Sequence, residues 1–329
     1  MAERDHWHPV LRSRDLGYRP RSVTLMDEEI VLFRTAQGAL GALTDECPHR
    51  RMRLSCGKVD GERLVCPYHG YRFGPDGVGE SASTPRMRVD ARRWDVAERH
   101  GAIWVKAAGA DAPLPELDRA GFFAAGVLTD RVRAPLETVV DNFCEVEHTP
   151  STHALFGYRP DSLGDLETKV ESGDDWLRVW NRGPQKPVPR LVERLFGIAG
   201  GDAFVDDWTV YFSPVHIVYA QWWEDAATGA PKGDRLHLAV FFVPVDAHTT
   251  ELFVFPYSTR APRGLDRLIT PLFRALTARE VALDRKMIER LADPRPDLRG
   301  TRLSRFDSPL RLHRERIARL YRGEAPSAG

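Results

Sequence analysis

Two ligand pairs in the first quarter of the chain constrain its fold more than any other feature. Cys47-x-His49 and Cys66-x2-His69 are separated by 16 residues. Each pair puts one thiol and one imidazole on a short segment carrying Pro48 or Pro67, and Gly70 follows the second pair. Proline fixes φ and glycine admits left-handed backbone, so each segment is expected to be a tight loop. Two such loops can close on one metal centre from opposite sides. The flanking sequence fits that demand: short runs at 22–25, 29–33, 63–65 and 102–105 are separated by Gly, Pro and Asp, the pattern of strands and turns. No amphipathic helix of normal length stands out there, and residues 1–110 are expected to form a small all-β domain.

A Cys2His2 set can hold structural zinc, but zinc-finger spacings place like ligands together on each segment. Here both segments are mixed. The set suits a Rieske [2Fe–2S] cluster, in which two thiolates hold one iron and two imidazoles hold the other. Cys47, His49, Cys66 and His69 are its expected ligands, while Cys56, between the loops, reads as a packed thiol. MAERDHWHPV lacks the apolar stretch of a secretory leader. In a chain of 329 residues the four cysteines therefore read as thiols or metal ligands rather than a disulfide framework. No apolar run approaches membrane-spanning length. Lys+Arg and Asp+Glu both number 47, and zero formal charge disfavours a dominant nucleic-acid or anionic-membrane role. A cytoplasmic protein is the simplest expectation.

A second constellation lies at 136–153. Leu136, Val139, Val140, Phe143 and Val146 recur at helical spacing and make one apolar stripe. Asp141, Glu145 and His148 fall on the other side. Such a face ordinarily meets water. Against that, no Lys or Arg stands among these polar residues. Pro150 disfavours helical geometry at Thr149, so the chain is expected to turn there and swing His153 back towards His148. Two neutral imidazoles and a carboxylate from elsewhere would form the facial ligand set of a non-haem Fe(II) centre.

WHPV at 7–10, CPHR at 47–50 and CPYHGYRF at 66–73 resemble the N-terminal domain of Rieske non-haem iron oxygenases. Asn142-x2-Glu145-x2-His148-x4-His153 resembles that family's N-x2-D-x2-H-x4-H iron motif in register. The length resembles the homotrimeric, α-only branch of the vanillate O-demethylase and dicamba monooxygenase type. The resemblance implies an α+β protein: an all-β Rieske domain over 1–110, then a helix-grip (START-like) catalytic domain over 111–329 with an antiparallel sheet and helices. It implies a terminal oxygenase that takes electrons from an NAD(P)H-dependent reductase or a ferredoxin. With O2 it would monooxygenate a small aromatic or otherwise apolar substrate, by hydroxylation or by O- or N-demethylation. It further implies that Glu145 bridges His148 of one protomer to His69 of its neighbour, with Asn142 near the iron. This sequence departs from the family pattern with Glu145 for Asp, Arg51 for Gly and Tyr71 for Trp; none removes a ligand. Ring cis-dihydroxylation, or an electron carrier with a vestigial ligand-binding domain, are the competing functions.

Residues 111–135 read as a linker, and 176–180, 208–212, 217–223, 236–243 and 251–257 as strands. The stretch 185–201 interrupts them, with a short helix at 191–196. Residues 265–291 return to helix. On a wheel at about 100° per residue, Asp284 falls in the apolar arc of Phe273, Leu276, Met287 and Leu291. A lone carboxylate on a buried face is costly unless paired or bound to metal. Glu280 shares the arc and competes; a salt bridge to a nearby arginine is the ordinary alternative. D-x4-E resembles the family's late ED-x4-E segment, whose Asp is a ligand, and this favours Asp284. Residues 307–321 read as a final basic helix. Trp176, Trp180, Phe212, Tyr219, Trp222 and Phe253 are the aromatic candidates for a substrate pocket, and Arg50, Arg51 and Arg53 suggest a positive rim beside the cluster.

Overall fold

The computed structural model describes residues 2–153, 155–259 and 266–325. The chain divides into two compact units: Met1–Glu116 with Val243–Ala247, and Leu117–Phe242 with His248–Gly329. Mixed helices and antiparallel sheets make it an α+β protein, as expected.

The first unit holds three small sheets. β1 (His8–Arg12), β10 (Ala102–Ala107) and β9 (Trp94–Arg99) form one; β2 (Arg21–Leu25), β3 (Glu28–Arg34) and β4 (Leu40–Thr44) form the next. β5 (Lys58–Asp60), β6 (Arg63–Val65), β7 (Arg72–Phe73) and β8 (Gly79–Glu80) form the third, which carries the second ligand loop between β6 and β7. Val31, Phe33, Leu43, Leu54, Leu64 and Phe73 are fully buried and pack with Cys47 and Cys66 in one cluster. The loops thus grow out of a hydrophobic core, which holds their thiol ends still. The β2–β3 turn runs through Met26 and Asp27, both at positive φ (51° and 62°), as a two-residue hairpin of the primed kind requires.

The second unit is built on eight strands: β11 (Phe122–Ala124), β12 (Leu128–Val132), β13 (Glu167–Ser172), β14 (Trp176–Pro184), β15 (Ala203–Phe212), β16 (Val215–Glu224), β17 (Pro231–Asp246) and β18 (Thr249–Thr259). The order is β11-β18-β17-β16-β15-β14-β13, with β12 also paired to β18. The helices are α1 (Leu136–Phe143), α2 (Thr149–Thr152), α3 (Arg190–Phe196), α4 (Asp266–Ile288) and α5 (Leu310–Arg316). α4 packs against α1, α2 and β12. No helix among the described residues is long and apolar enough to cross a membrane.

Four expectations change. The stretch 111–135 is more than a linker, since it contributes β11 and β12 to the sheet. β13 was not anticipated: all its residues are exposed, so ETKVES shows no buried alternation, as suits an edge strand guarded by charge. The helix expected over 265–291 spans Asp266–Ile288, with Leu265 outside the described residues. The 136–153 stretch is not one helix broken at Thr149. α1 stops at Cys144, and α2 starts with Pro150 inside its first turn. Proline is tolerated there, because the first-turn N–H groups have no intrahelical acceptor.

Candidate metal centres and substrate cavity

The two ligand loops of the first unit are built alike. Cys47 N–H donates to Met52 O at 2.9 Å, and Arg51 N–H donates to Cys47 O at 2.9 Å. In the second loop Cys66 N–H donates to Tyr71 O at 2.8 Å, and Gly70 N–H to Cys66 O at 3.1 Å. The fourth residue after each cysteine has left-handed backbone: φ is 71° at Gly70 and 56° at Arg51. Arg51 therefore occupies a glycine-type position with a side chain. Cys47 and Cys66 are buried, whereas His49 and His69 are exposed with ring centroids 4.5 Å apart. Tyr71 stacks on His49 at 4.8 Å, and Tyr68 lies 3.7 Å from the His69 ring. Burial, together with the neighbouring Cys66 thiol, pushes Cys47 up to about 11. Two inner thiols and two outer imidazoles fit a cluster with one buried and one exposed iron. The arginine rim is less positive than the sequence suggests: Arg53 pairs with Glu29 at 2.7 Å, and Arg51 lies 3.8 Å from Glu46.

In the second unit, the end of α1 places Glu145 and His148 on the turn before α2, and α2 returns His153 to face them. His148 Nε2 lies 3.1 Å from His153 Nε2; Asp284 Oδ1 on α4 lies 3.2 Å from the first and 3.3 Å from the second. One face of an octahedron with bonds of about 2.1 Å has edges of about 3.0 Å, so these atoms stand where three ligands of one ion would. Behind the rings, Glu145 Oε1 bonds His148 Nδ1, while Glu280 Oε2 lies 3.2 Å from His153 Nδ1 without a hydrogen bond between them. The Glu145 bond favours the Nδ1–H tautomer of His148 and leaves its Nε2 lone pair facing the point that His153 Nε2 and Asp284 Oδ1 also face. Burial pulls the His148 imidazole down, but Asp284 and Glu145 outweigh it and raise it to about 10. Burial pushes Asp284 up, but the two imidazoles outweigh it and hold it at about 2. Such a cage attracts positive charge, and its donor set suits ferrous iron. Asn142 Nδ2 donates to Asp284 Oδ1 at 3.1 Å, which steadies the carboxylate.

The three donor atoms lie at the wall of a cavity of about 130 Å³. Phe143, Phe156, Phe196, Phe204, Leu236 and Phe273 are among its apolar lining. Of the six aromatic residues expected to line it, Tyr219 does, and its hydroxyl donates to Phe143 O. Trp176, Trp180, Phe212, Trp222 and Phe253 do not; Phe212 and Phe253 are core, and Trp180 carries Lys169 on its ring at 4.8 Å.

Residues 6–95 match the family described as Rieske [2Fe-2S] domain, and residues 132–322 match the vanillate O-demethylase oxygenase C-terminal domain. The chain belongs to the Rieske non-haem iron oxygenases. It is 30% identical over 283 residues to the vanillate O-demethylase oxygenase subunit of Pseudomonas sp. (strain ATCC 19151), covering 80% of this chain and 85% of that one. It is 26% identical over 249 residues to the dicamba O-demethylase oxygenase component of Stenotrophomonas maltophilia, covering 71% of each. The fold is that of dicamba monooxygenase bound to 3,6-dichlorosalicylic acid, with a TM-score of 0.80, 22% identity and 97% of each chain covered. The oxygenase is thus an oxidoreductase of the monooxygenase and demethylase type, with a Rieske [2Fe–2S] cluster and a mononuclear iron site. Oxygenase components of such multicomponent systems receive electrons from a reductase or ferredoxin.

Sequence reasoning missed two groups in this oxygenase. Lys186 is buried and donates to the carbonyls of Thr149 and, more closely, His153, so it pins the ligand segment from the 185–201 excursion. Asp206 and Gln221 lie on the cavity floor, inside strands whose apolar neighbours concealed them. Neither sits in a motif; a buried-phase Lys or Asp in an otherwise apolar strand is the signal that could have found them.

Proposed function

We propose that Cys47 and Cys66 hold one iron of the cluster, His49 and His69 the other, and that His148, His153 and Asp284 hold the mononuclear Fe(II). The observation that carries this is the convergence of three donor atoms, 3.1–3.3 Å apart, at the wall of an apolar cavity. When bound, an iron with three protein ligands supplies open positions for O2 beside substrate and the redox chemistry of monooxygenation. The chain's own residues do the rest. Glu145 orients the His148 imidazole through Nδ1, Glu280 flanks that of His153, Asn142 steadies Asp284, and the phenylalanine walls exclude water and seat a small apolar substrate. Free thiols suit the reducing cytoplasm, where NAD(P)H-dependent reductases supply electrons.

Glu145 also opens onto a separate depression, lined by Asp141, Asn142, Glu147, His148 and Asp307 among others. This supports a homotrimer in which His69 of the partner subunit reaches the Glu145 carboxylate, so that one carboxylate links two ligand imidazoles. The purified protein should contain roughly three irons per chain, sediment as a trimer, and place one ¹⁸O atom from ¹⁸O2 in its product or in the released formaldehyde. A protein with only the cluster irons, or a monomer that turns over, would refute the corresponding part.

A further inference from the structure

The cavity has one polar feature that the iron does not use. Asp206 on β15 and Gln221 on β16 are direct cross-strand partners, and Gln221 Nε2 donates to Asp206 Oδ1 at 3.0 Å. Directly opposite residues share one face of an antiparallel pair, and Phe204, Tyr219 and Leu236 on that face are the apolar floor around them. His237 is one residue out of this phase but also lines the cavity, with its ring packed on Phe122 at 4.6 Å.

Most other polar groups of the cavity are committed, the exceptions among the described residues being His237 Nδ1 and Glu280 Oε1. The polar groups of the roof belong to the metal cage, and Tyr219, Thr149 and Thr277 donate to backbone carbonyls. Asp206 is 5% exposed, and its hydrogen bond among the described residues comes from a neutral amide. No Lys or Arg among the described residues lines the cavity. Burial pushes Asp206 up to about 6, against the Gln221 hydrogen bond that holds it down. A buried carboxylate without a cation is costly, and a strand position facing an apolar cavity has no structural need of one.

We infer that Asp206, steadied by Gln221, is the counter-ion for a cationic amine in the substrate, so that the oxygenase takes small amines rather than carboxylates. Asp206 Oδ2 and Gln221 Oε1 offer two acceptors to an ammonium group. The volume of about 130 Å³ is close to that of an engineered cavity of about 150 Å³ that takes benzene, so a group of about one ring fits it. The inference rests on the cavity being the substrate site.

The test is calorimetric titration of the holoenzyme at neutral pH with four probes of one ring size: N-methylbenzylamine, benzyl alcohol, anisole and benzoate. The amine should bind at least about tenfold more tightly than anisole, as a charge-assisted hydrogen bond allows. The alcohol should lie between them, and benzoate should bind weakest. D206N should bring the amine to the level of the alcohol while leaving anisole unchanged, which separates lost charge from lost fold. Benzoate or anisole binding as tightly as the amine, an amine that does not bind, or D206N without effect on the amine would each overturn the inference. An amine that binds with this charge dependence and is never oxidised supports the counter-ion and sinks the oxygenase assignment of the cavity. A carboxylate substrate that is turned over does the reverse.

Discussion

Asp284 and Glu280 lie one helical turn apart on α4 and flank His153 at opposite ends: Asp284 Oδ1 is 3.3 Å from Nε2, and Glu280 Oε2 is 3.2 Å from Nδ1. One helix thus places a carboxylate at each end of the ring. The two acids carry the same charge, and the ring between them gives each a different task.

These tasks separate under mutation. Asp284→Ala should abolish mononuclear iron while leaving the cluster absorbance intact, because the cluster ligands belong to the other unit. Glu280→Ala should keep the iron but weaken it by about 10–100-fold, the usual cost of losing a partner behind a ligand histidine. Iron retention under a graded chelator, read against cluster absorbance, checks both; the reverse ranking would exchange the two roles.

Glu145 bonds His148 Nδ1, and it also accepts the backbone N–H of His148 at 3.2 Å. Glu145→Gln replaces one acceptor oxygen with a donor, so either the turn or the ring loses its partner. Iron affinity should fall by about 10–100-fold, and electron transfer from the reduced cluster to the iron should slow in single-turnover assays. Reduction of the cluster itself should stay fast. An unchanged transfer rate in iron-replete Glu145→Ala would remove the carboxylate from the electron path.

Arg51 sits at φ 56° where its twin loop has Gly70 at 71°. Left-handed backbone costs a residue with a Cβ about 1 kcal/mol relative to glycine. Arg51→Gly should therefore raise the temperature at which the cluster band is lost on heating, with Arg51→Asn in between, since Asn tolerates this region better than most residues. A fall in that temperature would show that the exposed side chain contributes more than the backbone strain costs.

His313 on α5 is fully buried beside Trp208 and Phe212, with no hydrogen-bond partner for either ring nitrogen among the described residues. Burial, helped by Arg316 and Arg314, lowers it from 6.5 to about 3. The folded state holds the ring neutral while the unfolded chain takes a proton near its ordinary value. The stability tied to this ring is therefore intact above pH 6.5 and is lost as pH falls, by about 1.4 kcal/mol per unit down to about 3. His313→Phe should remove that part of the slope, giving about 2 kcal/mol more stability than the parent at pH 5 relative to their difference at pH 7.5. Urea midpoints at the two pH values would show it; parallel curves would contradict it.

Local chemistry made much of the oxygenase legible. Cys47 and His49, Cys66 and His69, and His148 and His153 are each within a few residues of one another, so the spacing of donors along the chain already predicts their convergence. Runs rich in aromatic and β-branched residues likewise mark β14 to β18, and helical periodicity marks α4. Periodicity could not separate Asp284 from Glu280, because residues four apart share one helical face; only the packing of α4 against α1 and α2 assigned one to each side of His153. Pro150 predicts a break, yet its effect depends on where the helix starts, and α2 begins around it. Strand alternation names two faces without saying which one looks inward. Asp206 and Asp207 are adjacent and chemically identical. The pleat turns Asp207 out to Arg178 at 2.6 Å and Asp206 into the cavity, a choice made by the phase of a whole sheet and by no residue alone.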